Sequence, residues 1–182
     1  MAHSYERLSR FCDAVLPIET WVSLNPGRND TTQTQAIIAD YMKKGNCALA
    51  TGSDETFPVP RQHRPVTMPV AVNGTRGVFI FDTGASLVAL KKTFAQKAAV
   101  QIDQDSSVRL HTANGITDGK MGRAATISVR SLQAKEVPIV VEDDVKATFG
   151  EGIDGLLGMS FLSRFKVTVD AQAVRISSRR TK

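Results

Sequence analysis

The stretch Val78-Phe79-Ile80-Phe81-Asp82-Thr83-Gly84-Ala85-Ser86, VFIFDTGAS, sets a carboxylate directly after four large apolar residues. Such a run reads as a buried strand, and an ionised Asp beside an apolar core costs several kcal/mol unless it is hydrogen-bonded or paired. Two readings follow. Either the strand ends in an ordinary turn that satisfies the acid, or the acid is held there for chemistry.

The surroundings of this stretch have a period of two. Val66, Met68, Val70 and Val72 alternate with Thr67, Pro69 and Ala71. Asn73-Gly74 then supplies a hairpin turn before the strand that carries VFIF. Pro69 lacks an N–H donor, so an edge position is expected for it. After the acid, Leu87, Leu90 and Phe94 fall on one side of an expected short helix. Further strands are expected at Val108–Leu110, Ala125–Val129, Val137–Val141, Lys166–Val169 and Ala173–Ile176. Many short strands separated by turns point to a mostly β chain, a small closed barrel or a sandwich.

The first third has a different period. Tyr5, Leu8, Cys12 and Val15 or Leu16 recur at helical spacing up to Pro17. Thr31 is a suitable N-cap for a second helix running to Lys44, with Ile37, Ile38, Tyr41 and Met42 on one face. Trp21 and Asn25-Pro26-Gly27 read as a loop between the two helices, and Gly52 through Pro58, Pro60 and Pro65 as a linker. The expected division is therefore a helical segment with linker at 1–60 and a β domain at 61–182.

Composition narrows the function classes. At 182 residues, 42% hydrophobic and 23% charged, the chain is globular rather than disordered. The net charge of +5 is spread along the chain, with no aromatic-interleaved basic stripe, so no nucleic-acid partner is expected. No apolar run is long enough for a membrane span, and no signal-like leader opens the chain, which reads as soluble, though it could be the soluble part of an exported or anchored protein. Compartment stays open. Cys12 and Cys47 are the two cysteines, either one bridge in an oxidising compartment or two buried thiols.

Other chemistries fail on inspection. Gly158-Met159-Ser160 lacks the second glycine of a nucleophile elbow, and Gly115 to Met121 misses P-loop spacing and its hydroxyl residue. His3, His63 and His111 are too scattered for a metal cluster. No metal or cofactor is expected.

Asp82-Thr83-Gly84 resembles the active-site triplet of aspartic proteases, and three local patterns together are similar to the retropepsin-like group. These are the two-strand entry MPVAVNGTRGVFIFDTGAS, the Gly-containing hairpin HTANGITDG about thirty residues on, and GIDGLLGMSFLSRF. The last carries the Leu-Leu-Gly-Met-Ser-Phe-Leu run common in bacterial single-domain members. The resemblance spans roughly residues 66–178. It implies a small retropepsin-like barrel with a short helix after the active-site loop and another near the C-terminus.

The resemblance also implies roles. Asp82 is the catalytic acid, supported by Thr83, Gly84 and Ala85; Ser86 reads equally as the N-cap of the helix expected from Leu87. Ala113, Asn114, Gly115 and Ile116 are expected at a substrate-covering flap, and Leu156, Leu157 and Gly158 in the element beneath the active site. The chain holds a single Asp-Thr/Ser-Gly triplet, since Asp118-Gly119 and Asp154-Gly155 lack the middle hydroxyl residue. A carboxylate dyad then requires two chains, a two-fold homodimer acting on a peptide substrate. Val174–Ser177 is a candidate intersubunit strand. The rival expectation is a non-catalytic barrel that binds peptides or dimerises, because fold alone does not give function.

Overall fold

A computed structural model describes residues 2–47, 49–60, 64–112, 115–143 and 149–178. The chain divides into two compact units, Met1–Leu49 and Ala50–Lys182.

The first unit is helical: α1 (Ala2–Arg7), α2 (Phe11–Leu24), α3 (Pro26–Asn29) and α4 (Thr32–Gly45). Thr31 caps α4 by accepting from the Thr34 amide at 3.1 Å, and Asn46 closes its other end in the left-handed conformation. The helix expected to stop at Pro17 continues to Leu24 and takes in Trp21. A proline inside a helix removes one ladder hydrogen bond. That loss is outweighed here because Ala14 and Val15, fully buried, and Ile18 pack on the same core as Ile38 and Tyr41. A Cys12–Cys47 disulfide ties α2 to the second residue past α4.

The second unit holds strands β1 (Ala50–Thr51), β2 (Glu55–Pro58), β3 (Thr67–Val72), β4 (Thr75–Phe81) and β5 (Val88–Lys91), helix α5 (Lys92–Lys97), and strands β6 (Gln101–Ile102), β7 (Val108–Thr112), β8 (Gly115–Val129), β9 (Leu132–Glu142) and β10 (Gly155–Leu157). Helix α6 (Met159–Leu162) and strands β11 (Phe165–Val169) and β12 (Ala173–Ser178) complete it. The order β9-β5-β10-β4-β3-β8 closes on itself through β8–β9 pairing, giving a six-stranded barrel. Its interior is filled by Met68, Val70, Val72, Phe79, Val88, Leu90, Ile127, Ile139 and Leu157, among others.

Three differences from the sequence reading have clear causes. Leu87–Leu90 is not helical: β5 runs parallel to β9 and antiparallel to β10, and the helix begins only at Lys92. Residues 87, 90 and 94 fit helical spacing, yet Val88, Ala89 and Leu90 are all buried, as in a strand covered on both faces. Ser86 consequently caps no helix. β3 is a barrel strand rather than an edge strand, yet Pro69 itself holds the edge position expected of it: β3 meets β8 only through Ala71 and Val72, and Pro69 sits in the half that pairs with β4 alone. Residues 55–58, read as linker, form β2 because Phe57 is buried in the barrel core.

A separate three-stranded sheet, β11-β12-β2, follows α6. β12, which contains the candidate intersubunit strand, is flanked by β11 on one side and β2 on the other.

Candidate active site

β4 ends at Phe81, and its amide still donates to the Val66 carbonyl at 2.8 Å. The next amide, of Asp82, donates to the Leu157 carbonyl at 3.2 Å. The acid thus stands at the last point where β4 is held by a neighbouring strand. Beyond it the chain turns: the Gly84 amide donates to Asp82 Oδ1 at 2.8 Å. A side-chain oxygen that accepts from the amide two residues on satisfies one carboxylate oxygen locally and fixes the turn. Asp82 is half-buried, while Thr83 and Gly84 are exposed. A Cβ on Gly84 would lie 3.1 Å from Asp82 Oδ1, closer than ordinary contact, so glycine suits this position.

The return limb of the loop is pinned by α6. The Met159 amide donates to the Ala85 carbonyl at 2.7 Å and the Ser160 amide to the Ser86 carbonyl at 3.0 Å. Ser160 itself is buried; its hydroxyl accepts from the Val88 amide at 2.9 Å and donates to the Pro138 carbonyl at 2.7 Å. One side chain therefore fastens α6 to the start of β5 and to β9. Nothing in the sequence marked Ser160 for this. A serine inside an apolar run, Met159–Leu162, was the only signal, and it was read as part of a failed nucleophile elbow.

β10 runs between the two limbs. Leu156 and Leu157 lie in parallel register with Ile80 and Phe81 of β4, and Gly155 and Leu156 pair antiparallel with Leu90 and Ala89 of β5. A Cβ on Gly158 would fall 2.1 Å from the Leu87 carbonyl oxygen and 2.7 Å from that of Ala85. Backbone passes backbone here without room for a side chain, which is why the run is Leu-Leu-Gly. The structure thus brings Asp82, Thr83, Gly84, Ala85, Leu156, Leu157 and Gly158 into one assembly.

Beside the loop lies an apolar cluster on the outer face of the barrel wall. Leu87, Ala89 and Val140 are buried in it, with Val108, Leu110, Met121, Phe149 and Leu156 packed against them. Alternation along β5 and β9 explains its composition: Val88, Leu90, Ile139 and Val141 point into the barrel, Ala89 and Val140 to this cluster. β7 and β8 form the hairpin that contributes Val108, Leu110 and Met121. Of the expected flap residues, Gly115 and Ile116 open β8 opposite Thr112 and His111. Ala113 and Asn114 lie outside the described residues.

Two other acids have structural surroundings. Asp154 Oδ2 accepts from the Val78 amide at 2.9 Å, and its amide donates to the Val78 carbonyl at 2.8 Å, so it straps the loop before β10 to β4. Glu142 ends β9, buried and in register with Lys91, and burial pushes its carboxyl above the usual range. Neither follows the Asp-Thr-Gly pattern. Within one chain the loop offers one half-buried carboxylate, half of what a shared-proton pair needs.

Comparison with known proteins agrees with this geometry. The family model described as gag-polyprotein putative aspartyl protease matches residues 68–164, more than half the chain. A retropepsin-like aspartic protease from Rickettsia conorii shares the fold, with a TM-score of 0.51 and 23% identity over 71% of this chain and 93% of that one. EIAV protease, solved with the inhibitor HBY-793, matches at a TM-score of 0.44 and 18% identity, over 58% of this chain and 91% of that one. No curated protein matches the chain.

Proposed function

The chain belongs to the gag-polyprotein aspartyl protease family, and from that membership and the loop geometry we propose that it is an aspartic endopeptidase, active as a homodimer. The observation that carries the reading is the exposed Asp82 turn, clamped on one side by the Leu157 carbonyl and on the other by the α6 amides. Oδ1 of this carboxylate fixes its own turn by accepting from the Gly84 amide, and in this reading the same group also does chemistry. It needs a second carboxylate about 3 Å away to share a proton, and Asp82 of another copy is the group that symmetry supplies.

In that pair the ionised carboxylate takes a proton from water while the protonated one donates to the scissile carbonyl oxygen. Water attacks the carbonyl carbon, the proton passes to the departing amine, and no covalent intermediate forms. In this reading Thr83 bonds across to the partner loop, Gly84 keeps the turn close to the carboxylate, and Ala85 anchors the return limb. The apolar cluster around Leu87 and Leu156 suits apolar substrate side chains, and the β7–β8 hairpin serves as the flap. A dyad sharing one proton works best in mildly acidic solution.

The test is cleavage of an unstructured protein substrate across pH values from mildly acidic to neutral, with the oligomeric state followed by light scattering. Asp82→Asn and Asp82→Ala should abolish cleavage and leave folding and the dimer intact. Cleavage that survives either substitution would sink the mechanism.

A further inference from the structure

Two large apolar residues of the helical unit, Trp21 and Ile37, are 51% and 40% exposed. Single exposed apolar residues are ordinary, but neighbouring ones on one concave surface mark a place where something else packs. Trp21 and Ile37 are such neighbours. Both line one groove of about 630 Å³ formed by α1, α2 and α4, to which Ile18 and Tyr41 also contribute. Ile18 and Trp21 are one turn apart on α2, and Ile37 and Tyr41 one turn apart on α4. Rows of side chains at one-turn spacing are what the ridge of another helix fits against.

The charge of the groove is uneven. Glu6 of α1 accepts from the Tyr41 hydroxyl, and His3 Nδ1 lies 3.1 Å from Glu6 Oε2. These two bonds hold the Glu6 carboxyl below its usual range, so it is ionised at neutral pH. Asp40, the residue before Tyr41, also lines the groove, and it pairs with Lys44 at 2.7 Å. Lys44 itself lies over the Phe11 ring, 5.8 Å from its centroid. Two carboxylates against one ammonium leave this end net negative, and among the described residues no Lys or Arg lines the groove. Gln33 and Thr34, at the start of α4, make the lining of the other end uncharged.

We propose that this groove docks an amphipathic helix of a partner protein, apolar along one face and carrying Lys or Arg toward one end. Trp21 and Ile37 are its main apolar contacts, and Glu6 and Asp40 face its basic end. Gln33 and Asp40 lie about 10 Å apart along α4 at 1.5 Å per residue, so the groove holds roughly two turns of such a helix. An anionic lipid surface would be repelled by the same carboxylates. The site lies wholly within the helical unit and depends neither on the Asp82 dyad nor on a second copy of the chain.

Trp21 is the chain's one tryptophan, so its emission reports occupancy of the groove directly. The probe is a tryptophan-free synthetic helix of about fifteen residues, with Leu at one-turn spacing and two Lys in its last turn. It is titrated into the full chain carrying Asp82→Asn, so that cleavage of the probe cannot enter. A saturable blue shift is expected. A peptide with Glu in place of the Lys pair, and a scrambled one that breaks the one-turn spacing, should each bind about tenfold more weakly or worse. Ile37→Ser should weaken the Lys peptide about tenfold. Glu6→Gln with Asp40→Asn should bring the Lys and Glu peptides to within about threefold of each other. Glu6→Gln keeps an acceptor for Tyr41, and Ile37 and Asp40 are exposed, so these variants should fold, which near-ultraviolet circular dichroism checks. If Ile37→Ser does not fold, the comparison of the three peptides decides.

The absence of a saturable shift, or equal binding of the scrambled or the Glu peptide, would overturn the proposal. So would a larger shift with phosphatidylserine vesicles than with the Lys peptide, which would make the groove a membrane contact. A wild-type dimer that Ile37→Ser converts to monomer, with no binding of the Lys peptide, would assign the groove to a second copy and overturn it too. None of these results bears on cleavage, which the Asp82 variants test separately.

Discussion

Reducing the Cys12–Cys47 bridge should unfold the helical unit and spare the barrel. The bridge spans 35 residues of sequence, and closing a loop of that length removes about 4 kcal/mol of entropy from the unfolded chain at room temperature. Among the described residues, the buried apolar core of the helical unit is Ala14, Val15, Ile38, Tyr41 and Leu49. At ordinary per-residue stabilities a unit of roughly fifty residues is worth about 2.5–7 kcal/mol in all. Losing the bridge removes most of that, as expected for a small core that needs a covalent staple. The chain carries its own reporters, because its one tryptophan, Trp21, and both tyrosines, Tyr5 and Tyr41, lie in this unit. Near-ultraviolet circular dichroism thus follows the helical unit, and the strand signal in the far ultraviolet follows the barrel. In urea titrations, a reductant or the Cys12→Ser/Cys47→Ser double variant should move the near-ultraviolet midpoint sharply down and leave the strand transition in place. A near-ultraviolet transition that shifts by less than about 0.5 kcal/mol would refute the reasoning, since surface-level changes are that small.

Three further outcomes follow from the clamp and the terminal hairpin. Gly158→Ala should destabilise the barrel by about 3 kcal/mol or more, because the new Cβ would meet carbonyl oxygens of Leu87 and Ala85 that cannot rotate away; Gly27→Ala, with nothing within 4 Å, is the control in urea unfolding. Ser160→Ala leaves the buried Val88 amide without its partner and should cost about 1–3 kcal/mol, against little change for the exposed Ser163→Ala. Asp170 is held at a pKa of about 2, below its ordinary 3.8, by Arg175 and by the Gln172 and Ala173 amides. A depressed carboxylate pKa contributes stability that is complete above the ordinary value and lost as pH falls through the depressed one. Asp170→Asn should therefore be less stable than wild type at neutral pH, with the gap closing in acid unfolding between pH 3.8 and about 2.

Much of the site was legible because its chemistry is local in sequence. Asp82 to Ala85 form one turn whose hydrogen bond from Gly84 to the acid spans two residues. The Leu-Leu-Gly run was legible through its resemblance to the family's element, and the structure supplies the reason for its glycine, a close passage of backbone past backbone. The supports were not. Ser160 acts on Val88 and Pro138, separated from it by 72 and 22 residues, and a buried hydroxyl looks like any other serine until the fold brings its partners together. β5 was misread because residues 87, 90 and 94 satisfy a helical period while the true constraint, burial on both faces, comes from β9 and β10. The proline inside α2 misled for the complementary reason, since its cost is local and the packing that offsets it is not.

The same topology explains why an acid should follow four large apolar residues at all. β4 pairs with β3 from Thr75 to Ile80 and with β10 over Phe79–Phe81, so its last residues are barrel wall held on both sides, and Phe79, fully buried, fills the interior. The run expected to be buried is so fully only at Phe79; Ile80 and Phe81 are half-buried and Val78 is 41% exposed. The last rung that β10 offers is the Leu157 carbonyl, and the amide that takes it belongs to Asp82. The acid is therefore the first residue whose side chain leaves the wall while its backbone is still held by it. A carboxylate one position earlier, in place of Phe81, would be set against the barrel core, and one position later, in place of Thr83, would ride on the exposed part of the turn. The apolar run and the acid are one arrangement: the strand supplies stiffness, and its end supplies access. Glycine at 155 and 158 is the corresponding cost, since β10 can reach the acid only by passing within side-chain distance of the Ala89 and Leu87 carbonyls.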